Sequence, residues 1–205
     1  MKQLPMLAFL TAASAISLSA PAHAANVIVN GDFESGSLVP WYEARNFFGS
    51  PWGITSADAN TGNFSATNIG NVELRQDFAG VSTDSVTSVT FALRHANFAT
   101  APTFVSFFYG DGSSTGFGLN TSSTDWQTFD VLGNLDAGKI LTGFSIFGYA
   151  GGSTPSVTAL DDVVINVASA VPEPGTWAMM ILGFFAVGAA LRRNPASKTL
   201  SVSYS

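Results

Sequence analysis

The central part of the chain contains no segment in which apolar residues recur with a helical period over three turns, and this constrains its fold most. Short runs rich in β-branched and aromatic residues recur instead, separated by clusters of turn-forming residues. The runs lie at 27–29, 71–78, 86–96, 103–110, 125–133, 139–148 and 156–167. About eight strands at this spacing, with no repeat of fixed period, predict an all-β fold in which two antiparallel sheets form a jelly-roll-like sandwich. Seventeen phenylalanines suit an aromatic core between the sheets.

The N-terminal segment has the three parts of a secretory signal peptide. Lys2 supplies a positive start, residues 6–18 are largely apolar, and small residues follow up to the A-x-A sequence that ends at Ala24. The pattern predicts a signal peptide at 1–24, with cleavage between Ala24 and Ala25, and a sandwich domain at 25–167.

The charge of the predicted exported part is strongly acidic. Residues 25–171 contain 13 acidic and four basic side chains, and therefore carry a net charge of −9. Such a surface repels phosphate backbones, which argues against nucleic acid as a partner. The chain has no cysteine, so an exported domain must be held by packing, or by a metal, without disulfides.

The last predicted strand, 156–167, carries two adjacent aspartates. Alternation puts Asp161 on the same face as Val163 and Ile165, which we expect to point into the core, and puts Asp162 on the opposite face. No lysine or arginine lies near them in the sequence. The inward charge of Asp161 therefore requires either a cation or a set of backbone N–H donors.

Two short motifs carry a family resemblance: "NGDFESG" at 30–36, followed by a tryptophan, and "DDV" at 161–163. Together they resemble the galactose-binding-like jelly rolls, which include several families of carbohydrate-binding modules. The resemblance implies that the first and last strands lie side by side, with a structural Ca²⁺ bridging them. By position in the motifs, its ligands would be the Asp32 carbonyl, Glu34 and Asp161, and oxygen ligands of this kind suit Ca²⁺. In the alternative, these acids only cap turns.

Aromatic side chains are concentrated in the segment 40–53, "PWYEARNFFGSPWG", which is predicted to be a loop. Trp41 occupies the position at which the resembled families keep a packing tryptophan, and we expect it in the core together with Trp126. Trp52 and Tyr42 are the candidates for stacking on sugar rings, as aromatic side chains do in binding sites. Alternatively, the cluster simply covers one end of the sandwich.

Catalytic motifs are scarce. His95 is the one histidine of the predicted exported domain, and alternation places it with Phe91 and Leu93, as expected of a core or edge histidine. No G-x-S-x-G or H-E-x-x-H motif is present. The sequence predicts a non-enzyme, and a polysaccharide-active hydrolase with paired carboxylates is the less favoured alternative.

The C-terminal segment has three parts: a Pro-Glu-Pro triplet, an apolar run at 177–191 and two arginines. Their order resembles the PEP-CTERM sorting signal in its PEPxxWA variant, which implies processing by exosortase, a membrane-bound cysteine transpeptidase. The residues that carry the resemblance are Pro172, Glu173, Pro174, Trp177, Ala178, Arg192 and Arg193.

The same segment divides into a linker at 168–176, a transmembrane helix with its arginine cluster at 177–193 and a cytoplasmic tail at 194–205. As a helix, the apolar run is only about 22 Å long, against a hydrocarbon core of about 30 Å, so it is marginal as a permanent anchor. The arginines predict that this end faces the cytoplasm. An ordinary tail anchor is the alternative.

The sequence therefore predicts an exported, non-catalytic protein. It would be held at the inner membrane with its domain in the periplasm, and would then pass to the cell surface or extracellular matrix. Its expected partners are an exosortase-type enzyme and exopolysaccharide or another glycan. A purely structural matrix or adhesion protein is the competing interpretation.

Overall fold

The computed structural model of the protein describes residues 24–96, 102–148, 157–168 and 174–192. One compact unit, residues 23–169, contains the strands, and the only helix of more than one turn in the described residues lies in a second unit. The strands are β1 Ala25–Asn26, β2 Tyr42–Gly49, β3 Gly53–Thr55, β4 Ser65–Ser82, β5 Val86–His95, β6 Pro102–Tyr109, β7 Ser114–Asn120, β8 Gln127–Asp130, β9 Ile140–Phe147 and β10 Val157–Val167. Short 3-10 turns lie at Thr83–Ser85 and Leu132–Asn134, and α1 spans Pro174–Arg192.

The strands form two antiparallel sheets that share the long strand β4. The first sheet has the order β3-β4-β10-β5-β8, and β1 pairs with the end of β10. The second sheet has the order β2-β4-β9-β6-β7. The predicted two-sheet sandwich is confirmed, and so is the expectation that the first and last strands lie side by side, since Ala25 pairs with Val167.

Strand β4 passes from one sheet to the other at Gly70. Its N-terminal part, up to Ile69, pairs with β10, whereas its continuation pairs with β2 and β9. Gly70 has a φ of +121°, and a Cβ atom there would lie 2.5 Å from the carbonyl oxygen of Phe48. Only glycine fits this conformation and this close approach without strain.

The core lies between the sheets and is rich in aromatic rings, as the composition suggests. Phe144 is at its centre, with ring centroids 5.9 Å from Phe91, 6.0 Å from Phe107 and 6.3 Å from Trp41. Such tilted and edge-to-face pairs are favourable geometries for buried rings. The prediction that Trp41 belongs to the core is confirmed.

Strands β2, β3 and β7 have no counterpart among the predicted runs, and the first run, 27–29, lies directly after β1 and not in it. The prediction of a loop at 40–53 is wrong, because this segment contains β2 and the first residue of β3. Every side chain of β2 is exposed, and two register shifts interrupt its pairing with β4. An edge strand with bulges shows no alternation of buried and exposed residues, so its sequence resembles that of a loop.

The predicted C-terminal helix is present, but it begins at Pro174, three residues earlier than expected. Over the ranges described, no helix is long and apolar enough to cross a membrane. The transmembrane helix at 177–193 stays a prediction.

Several predicted segments lie outside the described residues: most of the signal peptide, Pro172 and Glu173 of the triplet, Arg193, and the tail at 194–205. Ala24 and Ala25, on either side of the predicted cleavage, are both exposed, and Ala25 opens β1.

Candidate functional site

Glu34, one of the predicted metal ligands, holds the loop between β3 and β4, residues 56–64, which we call the β3–β4 loop. Its Oε1 atom accepts hydrogen bonds from the backbone N–H groups of Asn63, at 2.7 Å, and Phe64, at 2.8 Å. These donors lower the pKa of Glu34 below its usual value. The carboxylate thus acts as a side-chain clamp on one end of the loop.

Asp161 holds the middle of the β3–β4 loop. Its side chain is fully buried, but not in the core as alternation predicted, because a register shift leaves it opposite Ala92 on the side of the first sheet away from the core. There Oδ2 accepts from the N–H groups of Asn60, at 2.9 Å, and Thr61, at 3.2 Å. Oδ1 accepts from the N–H of Asp162 at 2.7 Å. Burial raises the pKa of Asp161 to about 6, against the effect of these hydrogen bonds. The sequence left two ways to satisfy this acid, and backbone N–H donors are present.

The third predicted ligand, Asp32, is exposed, and its side chain accepts a long hydrogen bond of 3.4 Å from the N–H of Glu34. The oxygen donors at this junction are of the kind that calcium prefers. Among the described residues, however, no group of three or more His, Cys, Asp or Glu side chains could hold a metal ion. An ion bound by Glu34, Asp161 and the Asp32 carbonyl would need further backbone carbonyls to complete its shell, and calcium stays a prediction.

Trp52, predicted to stack on a sugar, is buried. Only 5% of the residue is exposed, its Nε1–H donates to the carbonyl of Val72 at 2.9 Å, and its backbone N–H donates to Glu43 at 2.5 Å. The prediction of an exposed Trp52 ring is wrong, because Trp52, which directly precedes β3, packs in the core. Tyr42, the other candidate, is 43% exposed and stays a prediction.

Trp126 and His95, both expected in the core, differ in their burial. Trp126 is only partly buried and donates through Nε1 to Asp58 at 3.1 Å, so its expected place in the core is wrong. Asp58 also accepts from Arg94 at 2.8 Å. His95 is fully buried beside Thr158, as expected of a core histidine, and burial lowers its pKa to about 4.

A second group of polar and aromatic side chains lies on the second sheet. It occupies the side of this sheet that points away from the core, and we call this side the outer face. Residues directly opposite one another in neighbouring strands share a face, so the register defines its members. They are Tyr42 and Arg45 from β2, Glu73, Arg75 and Asp77 from β4, Phe104 and Phe108 from β6, and Ser145 and Phe147 from β9, joined by Phe47 through its ring contact.

Arg75 is at the centre of one half of the outer face. Its Nε–H donates to Asp77 at 2.7 Å, and its guanidinium lies 3.6 Å from the centre of the Phe108 ring. The hydroxyl of Tyr42 donates to the second oxygen of Asp77 at 2.6 Å. Partial burial and this bond raise the pKa of Tyr42, so the phenol stays protonated as a donor. The four side chains therefore hold one another in place.

The other half of the outer face contains a buried acid under a cation. Glu73 accepts from the Ser145 hydroxyl at 2.7 Å, and its second oxygen lies 3.4 Å from Nε of the exposed Arg45. Beside it, the rings of Phe47 and Phe147 stack with centroids 6.1 Å apart. Phe47 is 64% exposed. Apolar ring faces thus lie next to fixed donors and acceptors, which is the composition of a binding surface for a polar ligand with apolar faces.

Sequence reasoning found only Tyr42 of this face. The signal that could have revealed more is the alternation in β4, where the charged residues Glu73, Arg75 and Asp77 occupy every second position. The partners of these residues come from strands far away in the chain.

Residues 170–194 match the family model of the PEP-CTERM protein-sorting motif, and the chain therefore carries this motif. Among solved structures, it is similar to a Family 16 Carbohydrate Binding Module-2, at 15% identity over 68% of this chain and 99% of that chain, with a TM-score of 0.51. It is also similar to the CBM22-1 xylan-binding domain from Paenibacillus barcinonensis Xyn10C, at 15% identity over 74% and 100% of the two chains, with a TM-score of 0.50. These similarities confirm a jelly roll like that of carbohydrate-binding modules. No curated protein matches the sequence.

Proposed function

We propose that the protein is an exported glycan-binding module that binds its ligand on the outer face of the second sheet. The observation that carries the proposal is the pairing of exposed rings with ordered polar groups on one surface. Phe47 and Phe104 are 64% and 53% exposed, and both lie on the sheet that carries the fixed group of Tyr42, Arg75 and Asp77.

The chemistry of a sugar matches such a surface. A pyranose has an apolar face of C–H groups that packs on an aromatic ring, and hydroxyl groups at its rim that both donate and accept hydrogen bonds. Asp77 offers acceptors, whereas Arg75 has N–H donors beyond the one that it gives to Asp77. Because these groups already constrain one another, little side-chain entropy would be lost on binding.

The test is affinity electrophoresis of the purified protein in gels that contain single polysaccharides. The double variant Phe47→Ala and Phe104→Ala is expected to lose retardation by about tenfold or more, because central aromatic contacts dominate binding. Thr128→Ala, an exposed residue of the first sheet, is the control and should bind like the unchanged protein.

Equal binding by the unchanged protein and the double variant would contradict the outer face as the site. No retardation on any polysaccharide would favour the purely structural matrix or adhesion role. The similar solved structures are named as binding modules, which supports a non-catalytic function over a hydrolase.

The PEP-CTERM motif supports the destination. We propose that an exosortase-type enzyme processes the chain at this motif after export, and that the protein then reaches the cell surface or extracellular matrix. Replacing Pro172, Glu173 and Pro174 by alanine in the producing cell should leave the full-length protein in the membrane fraction. The matched control is Ser201→Ala, beyond the matched segment. Normal release of the triple variant, seen as an unchanged mass of the surface form, would contradict this part of the proposal.

We also propose a structural Ca²⁺ held by Glu34, Asp161 and the Asp32 carbonyl. The support is the environment of Asp161, which is fully buried beside a second acid, Asp162. The hydrogen-bond donors to Asp161 named above are neutral backbone N–H groups. A cation would offset the cost of burying this charge. Calorimetric titration of chelator-treated protein with Ca²⁺ tests it, and no heat of binding would remove the ion from the proposal.

A further inference from the structure

The domain has few basic side chains, and each of them forms an ion pair with an acidic side chain. In the described part of the sandwich, each of the four lies within ion-pair distance of an acid. The pairs are Arg45 with Glu73 at 3.4 Å, Arg75 with Asp77 at 2.7 Å, Arg94 with Asp58 at 2.8 Å, and Lys139 with Asp111 at 3.4 Å and Asp136 at 3.5 Å.

The outer face therefore carries no excess of positive charge. Two cations, Arg45 and Arg75, are on it, and each faces its own carboxylate across one ion pair. The surroundings are negative, because residues 25–171 carry a net charge of −9. An anion approaching this face would meet balanced pairs at short range and a negative field over a Debye length of about 8 Å.

We infer that the ligand of the outer face is a neutral glycan and not an acidic polysaccharide. This inference rests on the proposed function and names the class of ligand for the same site. A uronate, sulfate or phosphate group would need a cation, and each cation here is committed to an acid. A neutral sugar needs only ring faces and hydrogen bonds, which Phe47, Tyr42 and Asp77 offer.

The experiment compares neutral polysaccharides with acidic ones in affinity electrophoresis, at low and at high salt. The neutral set is xylan, mixed-linkage β-glucan, galactan and mannan; the acidic set is alginate, polygalacturonate and carboxymethylcellulose. We expect retardation by at least one neutral polysaccharide, unchanged by salt, and none by the acidic set. Salt-sensitive retardation by an acidic polysaccharide that exceeds every neutral one would overturn the inference and leave glycan binding standing. No retardation by either set would overturn the proposed function and this inference with it.

A matched pair of variants tests whether the ion pairs of the outer face are what excludes acidic ligands. Asp77→Asn frees Arg75 from its ion pair, whereas Asp130→Asn, in the first sheet, changes the net charge equally without freeing a cation. Only Asp77→Asn should gain retardation by an acidic polysaccharide, by severalfold at low salt, and a further Arg75→Gln change should abolish the gain. An equal gain in both variants would show that net charge, not pairing, excludes acidic ligands, and would contradict the role given to the pairs. A circular dichroism melt of each variant identifies any that is unfolded.

Discussion

Replacing Trp52 by alanine should lower the free energy of unfolding without changing a residue of the proposed glycan site. The residue is 5% exposed, and its Nε1–H donates to the Val72 carbonyl at 2.9 Å. Because its ring belongs to the core between the sheets, a smaller side chain leaves a cavity that the surrounding strands fill only in part.

The magnitude follows from two separate terms. Removing a buried tryptophan ring costs about 3–5 kcal/mol through lost burial and the cavity. Losing its hydrogen bond alone costs about 1 kcal/mol. The Val72 carbonyl keeps a second donor, the N–H of Gly148 at 3.0 Å, so the carbonyl is not left unsatisfied. Trp52→Phe should therefore cost about 1–2 kcal/mol, well below Trp52→Ala.

The assay is urea unfolding followed by circular dichroism, with Phe104→Ala as the exposed aromatic control. We expect the free energy of unfolding to fall in the order control, Trp52→Phe, Trp52→Ala, and folded Trp52→Phe to keep its polysaccharide retardation. If Trp52→Ala proved as stable as the control, or if folded Trp52→Phe lost all binding, the burial argument would be refuted and Trp52 would return as a ligand contact.

Three further predictions concern the domain itself. Burial lowers the pKa of His95 to about 4, so its neutral form contributes stability that is complete above pH 6.5, its ordinary pKa, and is lost as the pH falls toward 4. Relative to His95→Phe, urea unfolding should show a loss of about 3 kcal/mol across that window, and parallel pH profiles would contradict it. Chelator should lower the melting temperature of the unchanged protein but not of Glu34→Gln if Ca²⁺ is bound there; equal curves in all samples would count against the ion. Gly70→Ala should cost about 1–3 kcal/mol in urea unfolding because of its φ of +121°, whereas Gly133→Ala, with open space around it, should cost less.

Strands buried on one face were readable from the sequence. In β5, the large apolar residues Val89, Phe91 and Leu93 occupy every second position, and all three are fully buried. Alternation failed at Asp161, because a register shift in β10 leaves this residue opposite Ala92, on the side of the first sheet away from the core, where it contacts the β3–β4 loop. A core that imposes a period of two on its strands leaves that period in the sequence, which is why the fold class could be predicted.

Edge strands leave no such pattern. Strand β2 is exposed throughout and is interrupted by register shifts, so its aromatic residues resemble those of a loop. The wrong expectation for Trp52 has the same origin. Composition could show that 40–53 is rich in rings, but whether a ring faces solvent or core depends on which strand passes over it. Tyr42 and Trp52 lie ten residues apart and have opposite environments.

Some features of the outer face can be predicted from the local sequence, whereas others depend on how the strands pair. The pair Arg75 and Asp77 lies two positions apart on one strand, so its presence on a single face is a local property that alternation predicts. The contacts of Tyr42 with Asp77 and of Arg75 with Phe108 depend instead on register between strands separated by more than thirty residues. A shift of one residue in either pairing would turn these rings to the other face. The arrangement of the charged residues thus follows from the local sequence of β4, whereas the aromatic contacts form only when the strands pair. Both determine what the outer face binds.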